Sequence, residues 1–284
     1  MKKKNILFFI GILSGLNILI GSAIFYYWQP RLLEITFFDV GQGDSIFIET
    51  PLKNQILIDG GPDSCVLERL SKEIPFWDRS LDLMVLTHPD HDHMAGLIEV
   101  LKSYEVENIL WNGIQKDSDE FREWQRLIDE EGANMYVGWA GQRIKEGEFF
   151  LEIISPLENM EGKEADANNN SLVIKAGFRE NDFLFAADIS KPQERKIIER
   201  GTDVEADILK VAHHGSKISN GEEFLEKITP RMAVISCGKD NSYGHPHQET
   251  LDILKKYDID ILRTDLLGSI KIKANGKNYA VSSI

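Results

Sequence analysis

The sequence has little cysteine and an excess of acidic over basic residues. Its 284 residues contain two cysteines, Cys65 and Cys237. At most one disulfide can form, and we predict two unrelated buried thiols instead. Lysine and arginine number 32 against 46 aspartates and glutamates, for a net charge of −14. This charge argues against tight, charge-driven binding to nucleic acid. It does not exclude a nucleic-acid substrate, because bound metal ions and local basic groups can reverse the local field.

Long uncharged apolar runs are confined to one place, residues 6–28. As a helix, this run spans about 34 Å, which is enough for a bilayer core. Three lysines precede it at residues 2–4, and an aromatic belt closes it at residues 26–28. We therefore predict a single membrane-spanning helix whose N-terminus lies in the cytoplasm.

A cleaved signal peptide is the alternative for this segment, since residues 21–23, Gly-Ser-Ala, resemble a cleavage site. A buried core helix is disfavoured by the length and the flanking residues. Both main interpretations divide the chain into residues 1–30, an anchor or signal, and residues 31–284, a catalytic body outside the membrane or secreted. Residues 1–30 carry +3, so the body must carry −17 to give the total of −14.

The body alternates short apolar runs with amphipathic helical patterns, and it contains no low-complexity linker. We predict one α/β domain with a mixed sheet system. The expected strands include "LEITFFDV", "SIFIET", "QILIDGG", "LDLMVLTH", "EFFLEIISP", "SLVIKAGF", "DFLFAAD", "ADILKVAHHG" and "MAVISCG".

All seven histidines lie in three places, and each place follows an apolar strand. They are His88, His91 and His93, then His213 and His214, then His245 and His247. Polar residues at the C-terminal ends of strands in α/β sheets commonly form functional sites.

The donors between residues 88 and 93 predict a metal centre. Imidazoles and carboxylates are the usual ligands of zinc, manganese and iron. A tight turn can direct His88, Asp90 and Asp92 to one point and His93 to a second ion about 3.5–4 Å away. Asp188, after "FLFAAD", and His213, after "ILKVAH", end strands where they can supply further ligands.

The motif "THPDHDHMAG" resembles the His-x-His-x-Asp-His motif of the metallo-β-lactamase fold, with aspartate at the second position. Together with "FFDVGQGDSIFIET", "ILIDGG", "NNNSLVIKAGF", "LFAADIS", "DILKVAHHGSKIS" and "SYGHPH", it resembles the hydrolase domain of the ComEC/Rec2 DNA-uptake proteins from about Leu33 to the C-terminus. The resemblance implies a free-standing, membrane-tethered relative with a four-layer αββα sandwich and two divalent ions, zinc or manganese.

The resemblance also implies roles for individual residues. His88 and Asp90 would bind the first ion, Asp92 and His93 the second, and Asp188 both, with His213 completing the shell. Where the family usually has another histidine, this chain has asparagines at residues 168–170. Carboxylate in place of imidazole favours harder ions, so manganese is as reasonable as zinc.

Other residues are expected to support the site or contact substrate. Asp44 either hydrogen-bonds the ligand loop or lies in an ordinary connecting turn, and Asp59 is expected to support the ligands. Asn170 or a water would substitute for the missing ligand. Ser216 either contacts a phosphate or lies in a plain surface turn. His214 is expected to face away from the metals as a supporting group. His245 and His247 are either ligands or groups that hold a phosphate or leaving group, and these two interpretations stay open.

The expected reaction is metal-assisted hydrolysis with Asp92, His213 and His245 as the catalytic residues. The leading hypothesis is a phosphodiesterase that degrades DNA outside the membrane. The alternatives are a cell-envelope phosphodiesterase acting on phosphorylcholine-bearing teichoic acid and a non-catalytic metal-binding relative. A β-lactamase is disfavoured because Asp90 replaces the second histidine of the motif. The oligomeric state stays open.

Overall fold

We describe the protein from a computed structural model, in residues 11–22, 31–163 and 165–284. The chain divides into two compact units, Met1–Arg31 and Leu32–Ile284.

The predicted membrane segment is described only in part. Residues 11–22 are helical with exposed side chains. Residues 6–10 and 23–28, which complete the predicted span, lie outside the described residues. Within the described ranges, none of the helices has both the length and the apolar character that crossing a membrane requires. The membrane anchor stays a prediction.

Two sheets form the centre of the unit Leu32–Ile284. The strands of the first sheet are β1 (Leu33–Phe37), β2 (Ile46–Glu49), β3 (Gln55–Ile58), β4 (Ser80–Leu86), β5 (Glu105–Trp111), β6 (Asn134–Val137), β14 (Ile270–Ala274) and β15 (Tyr279–Ser283), in the spatial order β15-β14-β1-β2-β3-β4-β5-β6. The strands of the second sheet are β7 (Arg143–Glu146), β8 (Phe149–Ser155), β9 (Val173–Phe178), β10 (Asn181–Phe185), β11 (Ile208–Lys210), β12 (Met232–Ile235) and β13 (Asp260–Arg263), in the order β13-β12-β11-β10-β9-β8-β7.

Helices connect the strands and cover the outer faces of the sheets. Within this unit they are α1 (Cys65–Glu73), α2 (His91–Leu101), α3 (Asp119–Glu131), α4 (Lys191–Glu199), α5 (Glu222–Ile228), α6 (Gln248–Lys256) and α7 (Thr264–Leu267). Helix α3 shows the sequence signals most fully. Ser118 caps its first turn by accepting from the Phe121 backbone N–H at 3.1 Å, and Gly132 ends it in the left-handed conformation.

Three hydrophobic cores separate the layers. One core joins both sheets, and in it the ring of Phe37 lies 6.1 Å from the ring of Phe185. A second core, which includes Trp124, lies between the first sheet and helices α1 to α3. The third core, which includes Phe224, packs the second sheet against α4, α5 and α6. Three buried interfaces require four layers, so the predicted αββα sandwich is confirmed.

Strand β4 shows how one strand contributes to two cores. Leu83 and Val85 face the other sheet, whereas Met84 and Leu86 face the helices, because successive side chains of a strand alternate. Burial of both faces explains the uninterrupted apolar run. Strand β4 is parallel to β3 and β5, and in the second sheet β10 is parallel to β11. The carboxyl ends of β4, β10 and β11 supply the candidate site.

Two predictions about local structure have clear outcomes. Both cysteines are free, as predicted, with Cys237 buried and Cys65 half-buried. The strand expected over "ADILKVAHHG" is shorter, because β11 ends at Lys210 and Ala212–Gly215 form a turn in which two residues have left-handed φ. That turn carries His213 and His214.

Candidate metal centre

The motif "THPDHDHMAG" leaves the end of β4 and enters α2. The strand ends at Leu86, and α2 begins at His91 after Asp90 as N-cap. We predicted a tight loop for the whole motif, and this is wrong for its second half. Successive helix residues differ by about 100°, so Asp92 and His93 leave the backbone in different directions. The helical turn, rather than a loop, sets their divergence.

A buried aspartate, Asp59, organises the motif. Asp59 accepts from the backbone N–H of Thr87 at 2.8 Å, from the Thr87 hydroxyl at 2.7 Å and from Nδ1 of His93 at 2.8 Å. Because the hydroxyl gives its one proton to Asp59, it accepts from Nδ1 of His88, 3.0 Å away. This arrangement leaves Nε2 of both imidazoles directed at the cluster. Asp59 thus occupies the supporting position that we expected.

Helix α2 approaches the end of β3 closely enough to require glycine. The Gly60 N–H donates to the His93 carbonyl at 2.8 Å, and the Gly96 N–H donates to the Gly61 carbonyl at 2.9 Å. A Cβ atom on Gly96 would lie 1.9 Å from the carbonyl oxygen of Gly60. This contact positions the ligand-bearing first turn of the helix.

Gly96→Ala is expected to lower the free energy of unfolding by about 3 kcal/mol, because α2 must shift to accommodate the methyl group. The same shift would displace His93 and weaken metal binding. Urea unfolding of the metal-free protein measures the first effect. Equal unfolding free energies for Gly96→Ala and the parent chain would contradict the close contact.

The carboxylate of Asp188, which follows β10, lies among three imidazoles. Its Oδ2 is 3.5 Å from Nε2 of His93, 3.4 Å from Nε2 of His214 and 3.7 Å from Nε2 of His213. The Asp92 carboxylate approaches from the first sheet, 3.2 Å from Nε2 of His214. Donors from β4, β10 and β11 therefore meet at one edge of the sandwich, as the sequence predicted.

The order of burial within the histidine pair differs from our expectation. His213 and His214 both have left-handed φ, at 52° and 53°. His214 is buried, and its Nδ1 donates to the Ser236 carbonyl at 3.0 Å, which directs Nε2 toward Asp188. His213 keeps 22% of its side chain exposed. We expected His214 to face away from the centre, and this is wrong, because the left-handed turn brings both rings to the Asp188 side.

The turn is fixed by two residues that the sequence did not point to. Asn220 brackets Ala212, accepting from its N–H at 2.9 Å and donating to its carbonyl at 3.0 Å. Glu194 in turn accepts from the N–H groups of Asn220 at 2.5 Å and Gly221 at 2.8 Å. Helix α4 thereby positions the histidine pair.

Several of the converging donors are buried and have no hydrogen-bond partner among the described residues. They are Nε2 of His88, His93 and His214, Oδ1 of Asp188 and Oδ1 of Asp44. Donor atoms lie within 4.8 Å of one another in four groups: His88, His93 and Asp188; Asp92, His93 and His214; Asp44, Asp59 and His93; Asp44, Asp188 and His214. Buried polar atoms without partners are costly, so this arrangement fits bound cations.

The pKa values of the donor side chains also fit a site for bound cations. Burial would raise the pKa of Asp188, but the charges of His214 and His93 outweigh burial and hold that pKa well below its usual value. Burial would lower the pKa of both imidazoles, but Asp188 above all holds them well above their usual value. Protons thus balance the carboxylates, and a divalent cation can replace those protons and use the Nε2 lone pairs.

A buried lysine, Lys210, joins the centre, and sequence analysis missed it. Lys210 donates to the carboxylate of Asp44 and lies 3.9 Å from Oδ1 of Asp188, and all three side chains are buried. The Asp44 N–H donates to the Asp92 carbonyl at 3.2 Å, so Asp44 contacts the ligand motif. The available signal was a lysine inside the apolar strand "DILKVAH".

The donors expected for the first ion are less fully assembled. Asp90 is 31% exposed, receives a hydrogen bond from Lys116 at 2.6 Å, and lies 3.9 Å from Nε2 of His88. The Asn170 amide donates to the Asp166 carbonyl at 2.8 Å, so its nitrogen is engaged outside the cluster. Within the described part of the chain, Asp90 does not belong to the converging groups of histidine and carboxylate donors.

His245 and His247 lie at the mouth of the centre. The His245 ring is 5.7 Å from the ring of His213 and 4.9 Å from the ring of His247. Nδ1 of His247 accepts from the Lys217 N–H at 3.3 Å. Ser216 is buried beneath this rim, and its N–H donates to the His213 carbonyl. In the ranges described, neither rim histidine is among the converging donor groups.

The αββα sandwich and the imidazole and carboxylate donors at its edge are typical of metal-dependent hydrolases. The family model described as the metallo-beta-lactamase superfamily matches residues 38–239. The chain belongs to this superfamily, whose members typically bind two divalent metal ions.

Curated relatives extend the comparison. ComE operon protein 3 of Bacillus subtilis is 32% identical over 259 residues, 84% of this chain and 33% of that protein. Competence protein ComA of Neisseria gonorrhoeae is 28% identical over 239 residues, 84% of this chain and 32% of that protein. The chain therefore spans about a third of the length of these relatives.

A solved structure agrees in fold. The metallo-beta-lactamase fold protein YhfI from Bacillus subtilis matches with a TM-score of 0.59 and 13% identity, covering 86% of this chain and 100% of that one. Competence proteins are among the relatives of this metallo-β-lactamase domain, which confirms the resemblance stated from its motifs.

Proposed function

We propose that this protein is a metal-dependent phosphodiesterase that hydrolyses DNA. The observation that carries the proposal is the convergence of Asp92, His93, Asp188 and His214 in a buried, charge-rich centre. The competence proteins among its relatives support a DNA substrate.

The residues of the centre would hold two ions. Asp92, His93 and His214 are the proposed ligands of one ion, His88 and Asp90 of the other, and Asp188 of both. Bound Zn²⁺ or Mn²⁺ supplies an acidified water and stabilises negative charge on the phosphate oxygens. The chain's own contribution is to orient the imidazoles through Asp59, Thr87 and Ser236 and to enclose them away from bulk solvent.

His245 is the proposed group for the leaving oxygen. Burial and the charge of His214 lower the pKa of His245 to about 4, so its imidazole is neutral near pH 7. Gln42 lies 3.4 Å from Nδ1 and orients the ring. A neutral imidazole at the mouth can donate a hydrogen bond from its ring N–H to the leaving oxygen.

The proposed location is the outer side of a cell membrane, with residues 1–30 as a single-pass anchor or, if cleaved, as a signal peptide. The three lysines at residues 2–4 before the uncharged run support this orientation. At that location the proposed enzyme would hydrolyse DNA outside the cytoplasm.

A nuclease assay on the full chain tests the proposed activity. With Mn²⁺ or Zn²⁺ it is expected to degrade DNA, and Asp92→Ala is expected to abolish cleavage because it removes a proposed ligand. Asp119→Ala is the matched control, since that carboxylate is 99% exposed on α3 and pairs with Arg122 instead of the cluster. Cleavage that persists in Asp92→Ala would overturn the site assignment.

The same preparation separates the alternatives. Hydrolysis of teichoic acid without hydrolysis of DNA would replace the DNA proposal by a cell-envelope phosphodiesterase. Fewer than one bound ion per chain, by elemental analysis after metal loading, would favour a non-catalytic relative. Between one and two bound ions together with DNA cleavage is the expected result.

A further inference from the structure

An exposed aromatic ring stands beside the mouth of the metal centre. Tyr243 is 67% exposed. Its ring lies 5.7 Å from the ring of His245 at an interplanar angle of 18°, which is an offset stack. The His245 ring is in turn 5.7 Å from the ring of His213. A ladder of rings therefore leads from the donors that surround Asp188 to solvent.

The loop that carries Tyr243 is held by several hydrogen bonds. The Asn241 side chain accepts from the N–H groups of Tyr243 at 3.2 Å and His245 at 3.0 Å. It also donates to the carbonyls of Gly238 at 2.9 Å and His245 at 2.5 Å. Gln42, from the connection between β1 and β2, accepts from the Gly238 N–H at 3.2 Å. These bonds hold the backbone of the loop before any ligand arrives, and the stack on His245 aligns the exposed ring.

A fixed and exposed tyrosine ring beside a phosphate-directed site is suited to a flat ligand group. Two adjacent rings, His245 and Tyr243, already stack, and the rest of Tyr243 is open to solvent. A nucleobase presents a π-face whatever its identity, and stacking on an aromatic side chain is tolerant of sequence. A choline headgroup can also bind an aromatic face, through cation–π attraction, so the test has to compare ligands with and without a base.

We propose that Tyr243 is a stacking platform for an unpaired base next to the scissile phosphate, so that the preferred substrate is single-stranded DNA. This inference rests on the proposed phosphodiesterase function. In a duplex the faces of each base are covered by its neighbours, and a base must leave the stack to contact a protein ring. The free-energy cost of exposing a base for that contact is lower in an unpaired strand.

Local charge is compatible with such a strand. Lys217 and Lys239 are exposed, and they lie in the loops that carry His213 and His245. Exposed Asp240 adjoins Lys239 and offsets part of the charge. With weak electrostatic attraction, stacking has to contribute a larger share of the affinity for the polymer.

The test compares a single-stranded oligodeoxynucleotide with an all-abasic oligomer of the same length and backbone. The full chain is assayed with Mn²⁺, and KM and kcat are measured for both. The parent chain and Tyr243→Phe are expected to show a KM for the base-containing oligomer about 5- to 150-fold lower, which corresponds to about 1–3 kcal/mol of stacking. In Tyr243→Ala and Tyr243→Leu this ratio is expected to approach one.

Tyr243→Leu separates stacking from simple cover of His245, because leucine covers the imidazole without offering a π-face. Binding of the two oligomers to the Asp92→Ala protein, measured by fluorescence anisotropy, gives the same preference without turnover. An unchanged preference in Tyr243→Ala, or a lower KM for duplex than for single-stranded DNA, would overturn the platform. Loss of cleavage with every oligomer, while the base preference in binding persists, would count against the phosphodiesterase and not against the platform.

Discussion

His214→Ala is expected to lower the affinity of the centre for its metal ion roughly 100-fold and to abolish hydrolysis. A four-ligand zinc site binds with about 10–16 kcal/mol in total, so one ligand corresponds to about 3 kcal/mol. The buried Nε2 of His214 lies between the carboxylates of Asp92 and Asp188. Its removal deletes one metal donor, and the negative charges of both carboxylates lose part of their compensation. Isothermal titration with Zn²⁺ and with Mn²⁺ measures the affinity.

His213→Ala is expected to lower metal affinity less, because His213 is partly exposed and lies farther from Asp188. His91→Ala is the matched control: His91 is 61% exposed and contacts Glu120 instead of the cluster. Loss of the ion in His213→Ala with full retention in His214→Ala would contradict the arrangement of the pair. The comparison is sharp because the two histidines are adjacent and receive the same substitution.

Lys210→Met is expected to lower the free energy of unfolding by about 3–5 kcal/mol. The substitution keeps the length and apolar stem of the side chain but leaves the Asp44 carboxylate buried without its cation. The same carboxylate also faces Nδ1 of His214 at 3.4 Å, so metal affinity is expected to fall as well. Chemical denaturation in the presence of a chelator isolates the stability effect from metal binding.

The double variant Asp44→Asn with Lys210→Met is expected to recover most of the lost stability, since no buried charge then lacks a partner. Lys273→Met is the matched control, because Lys273 also lies on a strand and pairs with Glu34 but is 45% exposed. Its expected cost is below about 1 kcal/mol. Equal costs for the two lysine variants would show that burial of the Lys210 pair is not what makes it important.

Apolar periodicity was sufficient to predict most of the central strands, although β5 and β13 were missed. The four-layer sandwich was implied by the resemblance in motifs and not by periodicity. Residues 83–86 of β4 and 183–185 of β10 are uninterrupted apolar runs because both faces of these segments are buried. The edge strands β6 and β7 were not predicted. Their side chains are mostly exposed, so their sequences "NMYV" and "RIKE" do not show the alternation of apolar and polar residues that a half-buried strand has. Pairing with a neighbouring strand, which is a tertiary contact, makes them strands.

Helix α2 was missed for a different reason. Its first turn is occupied by the ligand motif, whose histidines and aspartates have weak helix propensity, and Gly96 interrupts the pattern. The glycine is required by the approach of the Gly60 backbone, a contact between residues 36 positions apart. Local propensity cannot report such a contact.

Lys210 illustrates the same limit within the site. A lysine in an apolar strand is unusual, but its meaning depends on Asp44, 166 positions away in the chain. Only the packing of the two sheets brings the ammonium group to that carboxylate. The burial of this pair is therefore a property of the fold and not of either strand.

The order of residues by itself determined which chemical groups this protein can offer and which strand ends present them. Side-chain chemistry and periodicity are local properties, so His88, Asp92, His93 and Asp188 were found as candidate ligands without coordinates. Tertiary structure alone decided that His214 lies deeper than His213. That choice depends on a left-handed turn bracketed by Asn220 and on the carboxylate that a second strand places opposite, and neither is encoded within a few residues of the pair.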